Sequence, residues 1–498
     1  MKKLLALLVV LTLLLGCAPF SIAEEKPVLT LATDWSGGVE AVVATDSPFM
    51  QVWMEKSGIT VEAVTATEEQ LAVSPVKPDI IRVYNTKNCM GSDVFTMISY
   101  GELIALNELI EEGYCPNYKE ALDSTGDGWA LISNDDGIVP GFFQLRAKDT
   151  PRSFAGMIIR KDWLDELELD MPVTIEDWDN VLRTFKEQKG ARFSGMWGAL
   201  DALEYGFGVA KTFYRDGNTI KFGPIEDNYE LLLQQFNAWY TDDILDPDVF
   251  TENTDSTYAK LANGETGAIF GYTGSTFNKI FSMSEEVING FKPAPAPVLS
   301  LENPIRVAPE TPTANQYWCY VISADCKNPE LAAQFLDWLY SEDGIILCNF
   351  GIEGITFEYD ENGVPYYTDF VNNNPKGYSH NEVVEMYCGE ANKAQLIVYE
   401  GSLATYTTQV QKDSLDIWND PDNTIRMLPT LSFTQEENDE INSMMTSINT
   451  YVSENRLNFI YGNRSLDEFE AYREDIINMG IERVLEIYQA AYDRFTAH

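Results

Sequence analysis

The chain has 498 residues, and its 34 Lys and Arg stand against 78 Asp and Glu, a formal net charge of −44 at pH 7. This balance excludes a nucleic-acid partner, because phosphate binding needs clustered basic residues. Hydrophobic residues make up 45% of the chain, enough to build more than one core, so at least two domains are expected.

The N-terminus has the pattern of an export signal. Lys2 and Lys3 precede an apolar run over residues 4–15, which stops at Gly16 and Cys17. The run is shorter than the roughly 20 apolar residues that span a bilayer, which favours a signal peptide over residues 1–16. The sequence LLGC at 14–17 resembles the lipobox of bacterial lipoproteins, and that resemblance implies a lipid on Cys17, followed by a tether over residues 17–26. An ordinary secretory peptide with a chance cysteine is the alternative.

The first elements after the tether predict a βαβ unit. Residues 28–33 alternate like a strand, and residues 48–56 have the pattern of a helix closed by Ser57 and Gly58. Two further strands are predicted over 59–64 and 78–84. Strands joined through a helix form parallel sheets, so the opening of the chain indicates an α/β fold.

The ends of these strands are candidate ligand positions. Ligands of open α/β sheets bind in crevices at the carboxyl ends of parallel strands. Trp35 follows the first predicted strand, and Tyr84 and Asn85 end the third. We therefore expect these three side chains near a ligand.

The next segment predicts a helix over residues 99–112 and then a turn-rich stretch over 114–137. Within that stretch Asp123 begins a sequence that resembles a calcium loop, with oxygen-bearing side chains at its first, third and fifth positions and Gly128 at its sixth. The twelfth position is Asn134, where such a loop normally has a bidentate Glu. We therefore expect an Asp/Gly turn and no metal site.

The second half continues the alternation of strands and helices. Residues 157–160 predict a buried strand, and Asp162 is the expected cap of a helix over 163–168. Thr174 with Asp177 three positions later has the pattern of a capping box, which opens a helix that runs to Lys189. Further helices are predicted over residues 227–240, 329–339 and 465–495, the last broken near Gly480.

Five segments in order resemble the extracellular solute-binding proteins of ABC importers, specifically the maltose-binding-like family. They are PDII at 78–81, GELIAL at 101–106, MIIRKDWL at 157–164 with PVTIEDW at 172–178, GETGAIFG at 264–271 and NPELAAQFL at 328–336. The greater length after Gly354 is similar to the long oligosaccharide-binding subgroup.

This resemblance implies a periplasmic-binding-protein-like α/β fold with two lobes, a hinge and a ligand cleft between the lobes. It also implies a monomeric, lipid-anchored receptor that delivers a sugar to ABC permease subunits without a cofactor and without catalysis. The predicted divisions are a first lobe over 27–140, a second over 141–300, a return to the first over 301–350, and mainly the second lobe with C-terminal helices over 351–498.

The chemistry of sugar binding selects the candidate site residues. Aromatic rings stack on the apolar faces of sugars, while amides, carboxylates and Arg bind hydroxyl groups. For each aromatic residue, burial in a core is the competing interpretation. Besides Trp35, Tyr84 and Asn85, the candidates are Phe142, Phe143 and Arg146 at the predicted crossing, Trp197, Tyr272 and Trp318 in later loops, and Glu353 between two glycines.

Two other functions stay open at this point. Paired carboxylates of a carbohydrate-active enzyme are not excluded by spacing, because 78 acids supply many chance pairs. The two histidines, His380 and His498, argue against a His-dependent triad or a multi-histidine zinc site. A receptor for peptides is the remaining alternative. The six cysteines after Cys17 show no CxxC spacing, which favours buried thiols over a disulfide framework.

Overall fold

The computed structural model describes residues 27–33, 47–194, 199–283, 290–302, 311–389, 394–404, 406, 408–419 and 427–497. The predicted signal peptide over 1–16, the tether with Cys17, and the candidate residues Trp35 and Trp197 lie outside these ranges. Two large hydrophobic cores, each built from separated parts of the chain, divide the described residues into two lobes.

The first lobe is built on a six-stranded sheet with the strand order β13-β4-β10-β3-β1-β2. β1 pairs in parallel with both β2 and β3, which confirms the predicted βαβ opening. β10 is antiparallel to β3 and β4, while β13 is parallel to β4. The strands are β1 (Leu29–Thr33), β2 (Val61–Thr65), β3 (Ile80–Val83), β4 (Phe142–Arg146), β10 (Ala314–Ile322) and β13 (Leu396–Ile397).

Helices cover both faces of this sheet. The predicted helix after β1 buries Trp53, whose indole stacks on Phe335 with ring centroids 3.9 Å apart and donates to the Phe335 carbonyl. The helices are α1 (Pro48–Ser57), α2 (Glu68–Ala72), α3 (Val94–Ser99), α4 (Asn107–Glu111), α5 (Pro116–Thr125), α6 (Gly128–Ile132), α13 (Pro329–Asp337) and α14 (Glu342–Phe350).

The segment after α14 forms a small subdomain with its own core around Phe350, Phe357 and Val383. It packs on the first lobe, since α16 lies against both α14 and α1. Its elements are the hairpin β11 (Phe357–Tyr359) and β12 (Pro365–Tyr367), and the helices α15 (Asp369–Asn372), α16 (His380–Cys388) and α17 (Tyr399–Ala404).

The second lobe contains a three-stranded sheet, β8-β5-β9, and the separate hairpin β6-β7. Trp178 and Trp239 are fully buried in its core, as expected for aromatic residues inside helices. The strands are β5 (Ala155–Arg160), β6 (Phe213–Asp216), β7 (Thr219–Phe222), β8 (Ala268–Tyr272) and β9 (Phe291–Pro293). The helices are α7 (Lys161–Glu166), α8 (Ile175–Lys189), α9 (Ala199–Tyr205), α10 (Asp227–Thr241), α11 (Thr254–Ala262), α12 (Ser275–Phe281), α18 (Gln409–Trp418), α19 (Gln435–Ile460), α20 (Phe469–Asn478) and α21 (Ile481–Ala497).

Several helix ends lie where local sequence signals predicted them. The Thr174–Asp177 capping box forms at the start of α8, and α8 ends at Lys189 with Gly190 in the left-handed conformation. The long C-terminal helix is broken at Gly480, between α20 and α21, as predicted.

Two helix predictions were wrong. Within the predicted helix over 99–112, only Ser99 at the end of α3 and residues 107–111 of α4 are helical. Gly101 has a φ of +73°, and Leu103 forms a bridge with Ser323, directly after β10. Asp162 is not a cap. It lies in the first turn of α7, where its carboxylate accepts a hydrogen bond of 2.7 Å from Nε of Arg160.

Two further properties concern the described residues as a group. None of their helices combines the length and the hydropathy required to cross a membrane. The six cysteines from Cys89 to Cys388 are buried, and none of them forms a disulfide. Burial raises the pKa of the Cys89 and Cys115 thiols to about 12, so these groups are protonated and unreactive at neutral pH.

Candidate functional site

Three crossings between the lobes connect elements that the structure describes. The crossings run from β4 to β5, from β9 to β10, and from β13 to α18. Backbone hydrogen bonds hold the first-lobe ends of these crossings side by side: N–H groups of Leu145, Arg146 and Ala147 donate to carbonyls of Gln395, Thr313 and Ile397 at 2.7–2.9 Å. The strands that enter the crossings therefore act as one unit.

A second set of hydrogen bonds holds the first crossing on the second-lobe side. Oδ1 of Asn419 accepts from the backbone N–H groups of Arg152 and Ser153 at 2.7 and 2.8 Å, and its Nδ2 donates to the Ser153 carbonyl at 2.8 Å. The N–H of Thr311, in the second crossing, donates to the Arg152 carbonyl at 2.7 Å. Asn419 directly follows α18, so one amide ties the first crossing to the end of α18 in the second lobe.

Strand register brings five polar or aromatic side chains to one face of the first-lobe sheet. Tyr320 of β10 is paired with Arg82 of β3 on one side and with Phe142 of β4 on the other. Side chains two or four residues apart on a strand share a face. Tyr84 therefore follows Arg82 on this face, and Arg146 follows Phe142.

Tyr84 and Trp318 form an aromatic pair at this edge of the sheet. Their rings are 5.8 Å apart in an edge-to-face arrangement, and both side chains are half-buried. The Arg82 guanidinium lies 4.6 Å from the centre of the Tyr84 ring. Nε of Arg82 is buried, and no hydrogen-bond partner for it occurs among the described residues. The pair offers a partly exposed aromatic surface beside a cationic group.

A cavity of about 210 Å³ adjoins Arg146 at the same edge, and we call it the Arg146 cavity. Its walls come from the first lobe, from the subdomain after α14 and from two crossings. Phe154 lies on the first crossing with its ring centre 5.1 Å from the Arg146 guanidinium, and Tyr406 lies on the third. Burial lowers the pKa of Arg146 to about 10, which still leaves it charged at neutral pH.

Two buried polar atoms of this cavity lack hydrogen-bond partners among the described residues. They are Oε1 of Gln395 and Oγ of Ser402, on side chains that are 4% and 6% exposed. Leaving such atoms unpaired costs about 1–3 kcal/mol each, so they are suited to receive groups of a ligand. The cavity combines a cation, aromatic walls and unsatisfied amide and hydroxyl groups, which is the chemistry that binds sugars.

The other predicted site residues occupy different surroundings. Phe142 shares the sheet face but is buried in the core, with its ring 4.7 Å from that of Tyr118. Phe143 points to the opposite face, where it borders a separate cavity of about 550 Å³. Asn85 lies in a turn and accepts the Lys87 N–H at 3.0 Å.

Tyr272 and Glu353 are both exposed. Tyr272 ends β8 and is 45% exposed, opposite Ala155 at the start of β5. It therefore lies near the second-lobe end of the first crossing. Glu353 is in the exposed turn before β11 and does not border the Arg146 cavity.

Several residues that line the Arg146 cavity were not predicted from the sequence. Phe154, Gln395, Ser402 and Tyr406 come from segments up to about 250 residues apart along the chain, and none is part of a local motif. The pairing of β4 with β13 and the hydrogen bonds of Asn349 with the Leu396 carbonyl and the Val398 N–H bring these segments together.

The calcium-like segment is folded into the end of α5 and the start of α6. The carboxylate of Asp123 accepts from Nζ of Lys119 at 2.6 Å and from Nε1 of Trp129 at 2.8 Å, while Asp127 accepts from the Thr313 hydroxyl. The described residues contain no group of three or more His, Cys, Asp or Glu side chains arranged to hold a metal ion.

Comparison with protein families and curated proteins gave consistent matches. The family model described as bacterial extracellular solute-binding protein matches residues 33–346. The fructooligosaccharide ABC transporter substrate-binding protein FusA of Streptococcus pneumoniae is 24% identical over 442 residues, which cover 82% of this chain and 78% of FusA. Lipoprotein LipO of Bacillus subtilis is 26% identical over 264 residues, 49% of this chain and 51% of LipO.

Solved structures share the fold over nearly the whole chain. An extracellular solute-binding protein from Bifidobacterium longum subsp. infantis has a TM-score of 0.71 at 16% identity, covering 95% of this chain and 99% of that one. The alginate-binding protein AlgQ2 has a TM-score of 0.65 at 20% identity, covering 94% and 98%. The architecture is therefore that of the periplasmic-binding-protein-like proteins.

Proposed function

This chain belongs to the bacterial extracellular solute-binding proteins, and from that premise we propose that it captures an oligosaccharide between its lobes and delivers it to an ABC permease. The observation that carries the proposal is the Arg146 cavity beside the Tyr84–Trp318 pair. Aromatic surface, a cation and unpaired amide and hydroxyl groups meet where three crossings join the lobes. FusA, which matches 82% of this chain, is a fructooligosaccharide ABC transporter substrate-binding protein.

In this proposal the solute closes the lobes about the three crossings. We assign residues 27–146 and 314–404 to the first lobe and residues 155–302 and 408–497 to the second. The support for this division is the pairing of β4, β10 and β13 in a single sheet. A solute drives closure only if it binds the closed arrangement more tightly than the open one, so contacts from both sides of the crossings are required.

We further propose that the protein is exported, lipidated on Cys17, and monomeric. The support is the LLGC sequence at 14–17 after a short apolar run, and the similarity to lipoprotein LipO. A lipid anchor on a short tether would keep the receptor close to the permease, which raises the local concentration of the loaded form.

A thermal-shift screen tests the sugar-binding proposal. A panel of oligosaccharides and short peptides is added to the purified protein, because a bound ligand stabilises the fold by RT ln(1 + [L]/Kd). We expect at least one oligosaccharide to raise the melting temperature, no peptide to do so, and no turnover of chromogenic glycosides. Stabilisation by peptides alone would contradict the proposal.

Variants of exposed aromatic residues provide the control for this screen. Trp318→Ala removes half of the aromatic pair, and loss of one stacking contact weakens affinity roughly 2- to 10-fold. Tyr100→Ala removes an aromatic ring that is 75% exposed on the first lobe, away from the cavity, and should leave affinity unchanged. Equal effects of both changes would argue against a site beside Trp318.

A further inference from the structure

We propose that the solute is acidic: the Arg146 cavity is a subsite for a sugar that bears a carboxylate, such as a uronic acid residue of an oligosaccharide. This inference rests on the proposed function and specifies the class of sugar. Its basis is the electrostatic character of the cavity, which differs from that of the rest of the molecule.

The cavity places one uncompensated cation in a strongly acidic protein. The net charge of the chain is −44, with more than two acids for each base. Yet Arg146 is the one charged side chain on the described wall of the cavity, and no described carboxylate lies within ion-pair distance of its guanidinium. By contrast, guanidiniums such as those of Arg192 and Arg494 are paired with Asp or Glu.

A second guanidinium on the same sheet face strengthens the argument. Arg82 is 4% exposed, and its described surroundings contain the rings of Tyr84 and Tyr320 but no paired carboxylate. Burying a charge without a partner is costly, and proteins normally pair such groups. Two arginines without described acidic partners make this face of the sheet locally cationic, and Arg146 is the one of the two that lines the cavity and can meet an anion there.

The polar groups of the cavity favour a carboxylate attached to a sugar ring over a simple anion. A planar guanidinium binds a carboxylate through two parallel hydrogen bonds. Oε1 of Gln395 accepts a hydrogen bond from a ring hydroxyl, and Oγ of Ser402 either donates or accepts. The volume of about 210 Å³ is below the roughly 300–1,000 Å³ of sites for drug-sized ligands, which limits the occupant to about one ring.

Isothermal titration calorimetry with matched pairs of sugars tests this inference. The probes are trigalacturonate against α-1,4-galactotriose, and cellobiouronate against cellobiose, each titrated into the purified full-length protein at pH 7. In at least one of the two pairs, we expect the acidic sugar to bind at least about tenfold more tightly than its neutral counterpart. This factor corresponds to a difference of about 1.4 kcal/mol in binding free energy.

Substitution of Arg146 identifies the group responsible. Arg146→Gln should abolish the preference for the acidic member, and Arg146→Lys, which keeps the charge but loses the planar fork, should reduce it in part. Lys148→Gln removes a charge of the same sign from an exposed position two residues away and should leave the preference unchanged. If Arg146→Gln does not fold, Arg146→Lys and Lys148→Gln still provide the comparison.

The outcomes separate this inference from the proposed function. Binding of neutral oligosaccharides as tightly as their acidic counterparts, or an acidic preference that survives Arg146→Lys and Arg146→Gln unchanged, would overturn the acidic subsite and leave the oligosaccharide receptor intact. Failure of every sugar in the pairs and in the thermal-shift panel to bind would overturn both.

Discussion

At the scale of single residues, the carboxyl group of Asp337, at the end of α13, has a strongly perturbed pKa. Its side chain is 4% exposed and accepts hydrogen bonds from the Tyr118 N–H at 2.7 Å and from Nδ2 of Asn117 at 2.6 Å. Burial raises its pKa to about 6, although both hydrogen bonds favour the charged form. Desolvation therefore outweighs two hydrogen bonds at this position.

This shift predicts how stability depends on pH. The pKa of Asp337 is higher in the folded state than its ordinary value of 3.8, so the folded state retains the proton in the window between about pH 4 and 6 while the unfolded state has lost it. Stability from this group is complete below pH 4 and falls as pH rises through 6, by up to about 3 kcal/mol. Asp337→Asn, which is neutral throughout, should not show this fall.

Urea unfolding of the wild type and Asp337→Asn at pH 4, 5, 6 and 7 measures the effect. We expect the difference in unfolding free energy to shift in favour of Asp337→Asn as pH rises. Asp149→Asn, at an exposed position, is the matched control and should give a difference independent of pH. A constant difference for Asp337→Asn as well would show that Asp337 has an ordinary pKa.

Tyr84 was named from its position at the end of a strand and Arg146 from its position at the predicted crossing. Strand register places both on one face of the sheet, and their contact with a ligand stays a prediction. Phe142 and Phe143 were indistinguishable from them in sequence, because an apolar strand buried on both faces does not reveal which face meets the cleft. Gln395 and Ser402 carried no local signal, since their role depends on pairing between distant strands.

At the scale of elements, local chemistry predicted helices well where their ends carry capping groups. α8 was predicted with both ends correct because Thr174 and Gly190 act through neighbouring backbone groups. The segment between α3 and α4 was wrongly predicted as helix. Its apolar residues have helical spacing, but Leu103 is buried in a non-helical segment that bridges to Ser323 after β10. Tertiary pairing overrode a helical pattern there, and one sequence does not contain that information.

Among the contacts between elements, we expect the hydrogen bonds of Asn419 to contribute most to holding the first crossing in place. Asn419→Ala removes the acceptor of the Arg152 and Ser153 N–H groups and the donor to the Ser153 carbonyl. Backbone groups left unpaired in a partly buried site cost about 1–3 kcal/mol in total. We expect urea unfolding to show a loss of this size and calorimetry to show weaker solute binding, because the first crossing is no longer held to α18.

Two further variants serve as controls for the stability loss of Asn419→Ala. Asn419→Asp keeps the oxygen acceptor and should lose less stability than the alanine variant. Asn88→Ala, in an exposed turn of the first lobe, is the control for the general effect of replacing Asn. If Asn419→Ala and Asn88→Ala unfold at the same urea concentration, Asn419 does not hold the crossings together.

At the scale of the whole molecule, the lobes also meet on the sheet face opposite Arg146. Nε of Arg494 on α21 lies 3.1 Å from Oδ2 of Asp135, which precedes β4, and its Nη2 lies 2.8 Å from Oε2 of Glu437 on α19. Phe143 borders the cavity between these segments, three residues from Arg146 along β4. A rotation of the lobes about the crossings would change this contact.

Small-angle X-ray scattering with and without a saturating oligosaccharide from the thermal-shift panel tests the central claim most directly. The account predicts that the radius of gyration decreases when the sugar binds, because the lobes close around the three crossings. It also predicts that the change disappears when the sugar is omitted or replaced by one that gives no thermal shift. An unchanged radius of gyration at saturation would contradict a receptor that binds by closing its lobes.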